Sequence, residues 1–421
     1  MYKKILYIRP GVCCTLFVLF NYLSAQTKYN IRPGALLNSE FLINRQTTDP
    51  KRLFLKTWRI VKSKYYDPTL NGQDWMRWNR HYIDRIKTKE DAYVAINSML
   101  ASLDDPYSKF LDEKEYLEQT TNIDAKIVGI GVNIISTSGK VIIISVVEGT
   151  PAAQKGLKAG DIIMKVDGAN VAGKSVSDVA SVIRGEEGKS VTLEILRGKN
   201  KLTAVIPREE IKIKNIKAEV LDQNIGYIQI SSFISSDLST EFIEALTKTE
   251  KCPGLIIDLR GNAGGLMPNA IFIADMFLPE GHIVSIVDRN HQKSDIDAQT
   301  KPYAITKPVV LLIDEASASA SEILSGALKD NKKAILVGKR TYGKGMIQKI
   351  YPLPNATGMN LTIAKYLTPK GYDINKSGIA PDYEVDYTES DFINDKDPQL
   401  DAAKDVLKKV LRSKFELAAR N

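Results

Sequence analysis

Two short segments in the carboxyl-terminal third carry residue types suited to nucleophilic chemistry: Ser317-Ala318-Ser319-Ala320-Ser321-Glu322-Ile323 and Thr341-Tyr342-Gly343-Lys344-Gly345-Met346-Ile347-Gln348. The first places hydroxyls among small residues, after the apolar run Val309 to Ile313 and before Ile323, Leu324, Ala327 and Leu328, which share one helical face. A serine at such a strand-to-helix corner points outward. Beside it lie helix N–H groups that lack an intrahelical acceptor and favour a negative oxygen. Ser317, Ser319 and Ser321 all fit, as nucleophile or as an ordinary helix cap. The second segment holds a lysine between two glycines. An amine of ordinary pKa about 10.4 must lose roughly three units, about 4 kcal/mol, to act as a base near neutrality. Burial does this, and a nearby carboxylate undoes it. Tyr342, Met346 and Ile347 supply largely apolar neighbours, and Gln348 offers an amide oxygen to orient the amine without adding charge. A third segment, Arg260-Gly261-Asn262-Ala263-Gly264-Gly265, follows the apolar run Leu255 to Leu259. Its Gly-Gly pair allows a backbone N–H to face a reacting carbonyl. With the Ala320 amide it would form an oxyanion hole, worth about 3 kcal/mol per donor.

Each segment needs a buried strand before it. Leu255 to Leu259 and Val309 to Ile313 are nearly all apolar, as expected of strands covered on both faces. Strands alternate with helical patterns from about Ile211 onward, which indicates an α/β layer. Upstream, Leu53 to about Tyr116 reads as a small helical subdomain, and its aromatics Trp58, Trp75, Trp78 and Tyr82 read as core. Residues 396 to 415 form an amphipathic helix.

The chain has 421 residues, 43% hydrophobic and 26% charged, the profile of a multidomain globular protein. Its net charge of +8 is scattered among acidic residues, with no basic helix and no aromatic-basic stripe, which argues against nucleic acid and leaves association with an anionic membrane surface open. Lys3, Lys4 and Arg9 precede an apolar stretch, Gly11 to Phe20, and Leu23-Ser24-Ala25 offers a cleavage site. This pattern predicts a signal peptide over 1–25 and export to a periplasm or equivalent lumen; the apolar run is short of the ~20 residues of a spanning helix. Of three cysteines, Cys13 and Cys14 lie in that segment, so Cys252 is expected alone and packed in the core. His81, His282 and His291 show neither metal-ligand spacing nor a carboxylate pattern suggestive of a triad. A hydrolytic base must then be sought elsewhere.

Between the helical and α/β regions, strand patterns at Ile127 to Val132 and Val141 to Val147 lead into Thr150-Pro151-Ala152-Ala153, Gly156-Leu157 and Gly160-Asp161. A tight Asp167-Gly168 hairpin follows, and Val176, Val179, Ala180 and Ile183 lie on one helical face. This span resembles a PDZ domain over 120–207. The resemblance implies that Val128, Gly129, Ile130, Gly131 and Val132 form the loop that receives a peptide's terminal carboxylate. Val179 and Ile183 would then line the groove in which the peptide adds a strand. Converging amides between glycines suit an anion on physical grounds too.

"LRGNAGG", "SASASEILSGALKD", "KRTYGKGMIQ", the earlier "LDDPYSKFL" and the later "KYLTPKGYDINKSGIAPD" resemble the carboxyl-terminal processing peptidases, or tail-specific proteases, over about 50 to 390. The wording is most similar to the cyanobacterial and chloroplast branch. The resemblance implies a multidomain α/β fold: signal 1–25, lead-in and helical subdomain 26–119, PDZ domain 120–207, crotonase-like catalytic core 208–395 and a C-terminal helix 396–421. It also implies a serine endopeptidase with Ser319 as nucleophile, Lys344 as base, Gln348 orienting the lysine, and Gly265 and Ala320 as oxyanion donors. Asp330, about 16 Å along the helix from Ser319, is expected as structural support. No metal or cofactor is implied; the expected partners are protein C-termini with apolar residues and a free carboxylate, with an activating partner left open. Two other readings are a decayed PDZ scaffold that binds tails without cutting, and a crotonase-like acyl-thioester enzyme that uses the oxyanion hole without a nucleophile.

Overall fold

The computed structural model describes residues 49–123, 126–137, 139–147, 149–212, 214–299, 304–388, 391, 394 and 396–418. The expected signal peptide and lead-in segment lie outside the described residues. The chain divides into two compact units, one of residues up to 120 together with 215–421 and one of 121–214.

The larger unit is built on a six-stranded sheet in the order Ile216–Leu221, Ile225–Ile230, Leu255–Asp258, Val309–Ile313, Ala334–Gly338, Tyr383–Glu384. The first pair is antiparallel and the rest are parallel. The apolar runs divide their side chains between the two faces at the two-residue period of a strand. Leu255, Ile257, Val309, Leu311 and Leu336 pack under the helices Leu238–Lys248, Met267–Phe277 and Ala320–Asp330. Ile256, Val310, Leu312 and Val337 pack against Ala403, Val406 and Leu407 of the helix Pro398–Ala418. Arg260 fastens that helix to the end of the strand Leu255–Asp258. Its guanidinium donates to Asp258 at 2.7 Å, to Asp397 at 2.8 Å and to Gln399 at 3.2 Å. Cys252 is buried.

A second, antiparallel sheet runs Lys109–Leu111, Gly358–Leu367, His282–Asp288, Lys293–Asp297, with Met346–Pro352 also on Gly358–Leu367. The helices Pro50–Lys64 and Lys89–Ala101 lie on it in a shared core with Leu353, Met359 and Leu361. Trp58 and Trp75 are core residues, and each indole N–H donates to the other's carbonyl, at 3.0 and 3.2 Å. The helical layer thus lies in the same compact unit as the α/β core.

The smaller unit is a five-strand antiparallel path, Val132–Thr137, Lys140–Val146, Ile162–Val166, Ser190–Arg197, Asn200–Pro207, with Ala169–Asn170 at its side and a separate pair, Lys126–Gly129 with Glu209–Lys212. Asp167 and Gly168 both have positive φ, 47° and 81°, as the favoured two-residue hairpin turn demands. The helix Val176–Ile183 ends on Arg208, whose guanidinium donates to the carbonyls of Ile183 at 2.7 Å, Val182 at 3.0 Å and Ser190 at 2.9 Å. The first two are orphan carbonyls of a helix end, and the third opens the strand Ser190–Arg197. Arg208→Ala strips three acceptors of a shared donor, so the unit should lose about 1–3 kcal/mol, read as a lower urea midpoint with an unchanged slope.

Candidate active site

The three segments singled out above leave the carboxyl ends of three adjacent parallel strands, Leu255–Asp258, Val309–Ile313 and Ala334–Gly338, the end of an open α/β sheet where ligands bind. The loops are stitched together there by their own polar groups. Asn262 donates to the Ile230 carbonyl at 2.7 Å, accepts from the Gly264 amide at 2.9 Å, and through its carbonyl receives the Ala318 amide at 3.0 Å and the Ser321 hydroxyl at 2.9 Å.

This stitching separates the three serines. Ser317 and Ser321 are fully buried, and their hydroxyls donate to the carbonyls of Leu259 at 2.8 Å and Asn262 at 2.9 Å. Ser319 is half-buried, and its Oγ donates to no acceptor among the described residues. It sits just ahead of the helix Ala320–Asp330 with φ 55° and ψ −112°, a conformation a side chain rarely adopts. Gly264 backs directly onto it: a Cβ there would stand 2.7 Å from Ala318 O, 2.8 Å from Ser319 Cβ and 3.0 Å from Ala320 N. The amides of Gly265 and Ala320 donate to no backbone carbonyl among the described residues. Gly265, with φ 146°, is pressed against Phe233 so that a Cβ would come 2.4 Å from the Phe233 carbonyl carbon. The Ala320 amide thus follows Ser319 directly, and the Gly265 amide follows the glycine that backs onto it.

One carboxylate joins the serine to the lysine segment. Glu322 is fully buried. One of its oxygens accepts from Thr341 Oγ at 2.5 Å and the Gly343 amide at 2.7 Å; the other accepts from the Ser319 and Lys344 amides, both at 2.9 Å. Tyr366, from the second sheet, places its hydroxyl 3.0 Å from the Ser319 carbonyl and 2.6 Å from that of Lys344. Burial, then Glu322, pushes that phenol well above its ordinary pKa, so it stays a donor. Neither residue stood out in the sequence. Glu322 reads as an ordinary third position of a helix, and the only local signal is its capping-box spacing from Ser319.

Lys344 is half-buried, and its amine lies 4.9 Å from the ring centroid of Tyr107. Burial holds its pKa below the ordinary lysine value, against Asp105 and Glu322, which pull it back up. No hydrogen bond among the described residues joins Lys344 Nζ to Ser319 Oγ or to Gln348; the Gln348 amide donates to Thr362 Oγ at 3.4 Å instead. The strand irregularity between Ile347 and Gln348 accompanies that placement. Asp330, at the far end of the serine helix, accepts the Lys370 amide at 3.0 Å.

The histidines correct one expectation. His282 does stand between a hydroxyl and a carboxylate, with Nε2 2.7 Å from Ser285 Oγ and Nδ1 2.8 Å from Asp297. The sequence hid this because the carboxylate comes from the neighbouring strand of a hairpin. Ser285 is completely buried and so is closed to any substrate. No group of metal-ligating side chains occurs among the described residues, and no described helix is long and apolar enough to cross a membrane.

In the smaller unit, Val128 and Gly129 are strand residues paired with Glu210 and Glu209, so of the five residues expected to form a loop only Ile130 and Gly131 lie between strands, with Val132 opening the next one. Gly131 has φ 85°, and a Cβ there would overlap Thr150 at 2.3 Å. The Ile130 and Gly131 amides donate to no backbone carbonyl among the described residues. Val179 and Ile183 are buried in the domain core with Ile130.

The family model for peptidase family S41 matches residues 224–385, that for the PDZ domain 128–207, and that for the tricorn protease C1 domain 47–101. The carboxyl-terminal-processing protease of Synechocystis sp. is 36% identical over 86% of this chain and 87% of its own. The chloroplastic carboxyl-terminal-processing peptidase 2 of Arabidopsis thaliana is 33% identical over 80% and 69%. Among solved structures, the photosystem II D1 C-terminal processing protease superposes with a TM-score of 0.55 at 32% identity, over 81% of this chain and 94% of that one.

Proposed function

The chain belongs to the carboxyl-terminal-processing proteases of peptidase family S41, and we propose that it cuts exported proteins near their C-termini with a Ser319–Lys344 dyad. The observation that carries this reading is the arrangement around Ser319. Among Ser317, Ser319 and Ser321, it alone has a hydroxyl that donates to no acceptor among the described residues, next to the Ala320 amide and against Gly264, on a backbone that one carboxylate ties to the lysine. Neutral Lys344 turns about its own side chain to take the Ser319 proton, and Oγ attacks the peptide carbonyl. The negative oxygen rests on the Gly265 and Ala320 amides. The ammonium then protonates the leaving amine, and water releases the acyl group. A substrate's free carboxylate docks on the Ile130 and Gly131 amides of the PDZ domain.

The test compares one protein substrate ending in an apolar residue with the same substrate amidated at its terminus. Wild type should cut the free-tailed form at least about tenfold faster, the discrimination of one lost charge-assisted contact of about 1.5–3 kcal/mol. Ser319→Ala should cut neither. Equal cleavage of both tails removes the PDZ part of the reading; an active Ser319→Ala removes the nucleophile and favours thioester chemistry at the oxyanion hole. Binding without cleavage by wild type points to a scaffold. A further expectation concerns the glycine loop. Gly264→Ala forces a Cβ into the Ser319–Ala320 peptide at a left-handed φ of 102°. It should lower kcat about a hundredfold or more, the cost of one misplaced oxyanion donor, in steady-state kinetics on the same substrate.

A further inference from the structure

We propose that Tyr107 is a positioning residue for Lys344: its ring face is the seat on which the lysine amine rests between proton transfers. The proposal builds on the dyad reading above and concerns a part of the chain that the three catalytic loops do not include.

The seat is built rigidly. Tyr107 lies in the loop that follows the helix Lys89–Ala101, and that loop is tied down on both sides of the ring. Asp105 accepts the Tyr107 amide at 3.0 Å and the Ser108 hydroxyl at 2.6 Å. Ser108 Oγ in turn accepts the Thr362 amide at 3.0 Å, and the Tyr66 amide reaches the Thr362 carbonyl at 2.9 Å. The next residues, Lys109–Leu111, pair in register with Asn360, Met359 and Gly358. The strand that receives them also carries Tyr366, which holds the Ser319 and Lys344 carbonyls. One strand therefore fixes the ring and the dyad's backbone together, and the amine lies over the ring at 4.9 Å from its centroid.

The chemistry suits both forms of the amine. The negative face of an aromatic ring attracts an ammonium, while its carbon surface keeps water from the neutral amine. The other charged or titratable groups facing the site are Asp105 from the same loop, Glu322 from the serine helix, Tyr342 beside the Tyr107 ring and the buried Tyr366. Both carboxylates favour the ammonium. The ring is the group that acts on both forms at once, and removing its two properties separately should move the base in opposite directions.

Three variants make that separation, read as the acid limb of kcat/KM against pH on the free-tailed substrate. Tyr107→Phe keeps face and bulk and should retain the wild-type limb. Tyr107→Leu keeps an apolar wall without the ring face, so the ammonium loses its seat and the limb should move to lower pH by about 0.5–1 unit. Tyr107→Ala loses the ring face as well but also admits water to the amine, so its limb should lie about 0.5–1 unit above that of Tyr107→Leu. A loop with only a structural role would lower the rate of all three without moving the limb, and superimposable limbs in folded Leu and Ala variants overturn the proposal. Lys344→Met is run beside them. If it retains activity, the dyad reading fails; if it is inactive while the limbs coincide, the seat alone fails.

Discussion

Lys344→Met leaves a folded protein whose peptide hydrolysis is lower by at least about 10³-fold. General-base assistance is worth roughly 10²–10⁴-fold, and members of a unit that act together fail together. Methionine keeps the length and apolar stem of the side chain, so the half-buried site stays filled and the loss reports on the amine. Lys344→Arg should fail as completely, because a guanidinium does not deprotonate near neutrality. The sign of the pH dependence follows from the same amine. On the proposed dyad the neutral form is the working base, so activity should fall as pH drops through its pKa. Burial sets that pKa below the ordinary lysine value, with Asp105 and Glu322 working the other way. The acid limb should therefore lie below the titration of a free lysine and vanish in both variants. A limb unchanged in Lys344→Met would end the assignment.

Glu322→Gln should be the most damaging change of near-equal size. Each carboxylate oxygen accepts two donors, Thr341 Oγ and the Gly343 amide on one, the Ser319 and Lys344 amides on the other. A glutamine amide has only one acceptor oxygen. Whichever way it turns, its NH₂ faces two donors, and each donor left unpaired in a buried site costs about 1–3 kcal/mol. The expected loss is about 2–6 kcal/mol of stability, read from urea unfolding, with activity falling more steeply than the folded fraction because Ser319 and Lys344 lose their common anchor. Undiminished activity in a folded Glu322→Gln protein would show that the anchor is dispensable.

The sequence displayed what is periodic or local. The runs Leu255 to Leu259 and Val309 to Ile313 announced a sheet covered on both faces, because only such strands are apolar at nearly every position. Val176, Val179, Ala180 and Ile183 announced the helix that follows Ser175. The three loops were visible because each pairs a breaker or a reactive residue with the strand before it. The ties among those loops were not visible. Glu322 meets Lys344 across 22 residues, and Tyr366 meets Ser319 across 47. Tyr107 reaches Lys344 from the other end of the unit, a contact that only the pairing of Lys109–Leu111 with Gly358–Leu367 creates. Gln348 shows the converse: its type and spacing suggest a partner for the lysine, yet its amide donates to Thr362 beside a strand irregularity.

The grip of Arg260 on Asp258, Asp397 and Gln399 has a consequence for biosynthesis. The glycine loop begins at Arg260, but that arginine finds its second carboxylate 137 residues further along the chain. A nascent chain holding Ser319 and Lys344 but not yet the helix Pro398–Ala418 would carry a half-buried cation with only one of its two carboxylate partners, at the root of the proposed oxyanion loop. A chain cut between Ser319 and Asp397 would therefore lose one of the two carboxylates that hold Arg260 at the start of the glycine loop.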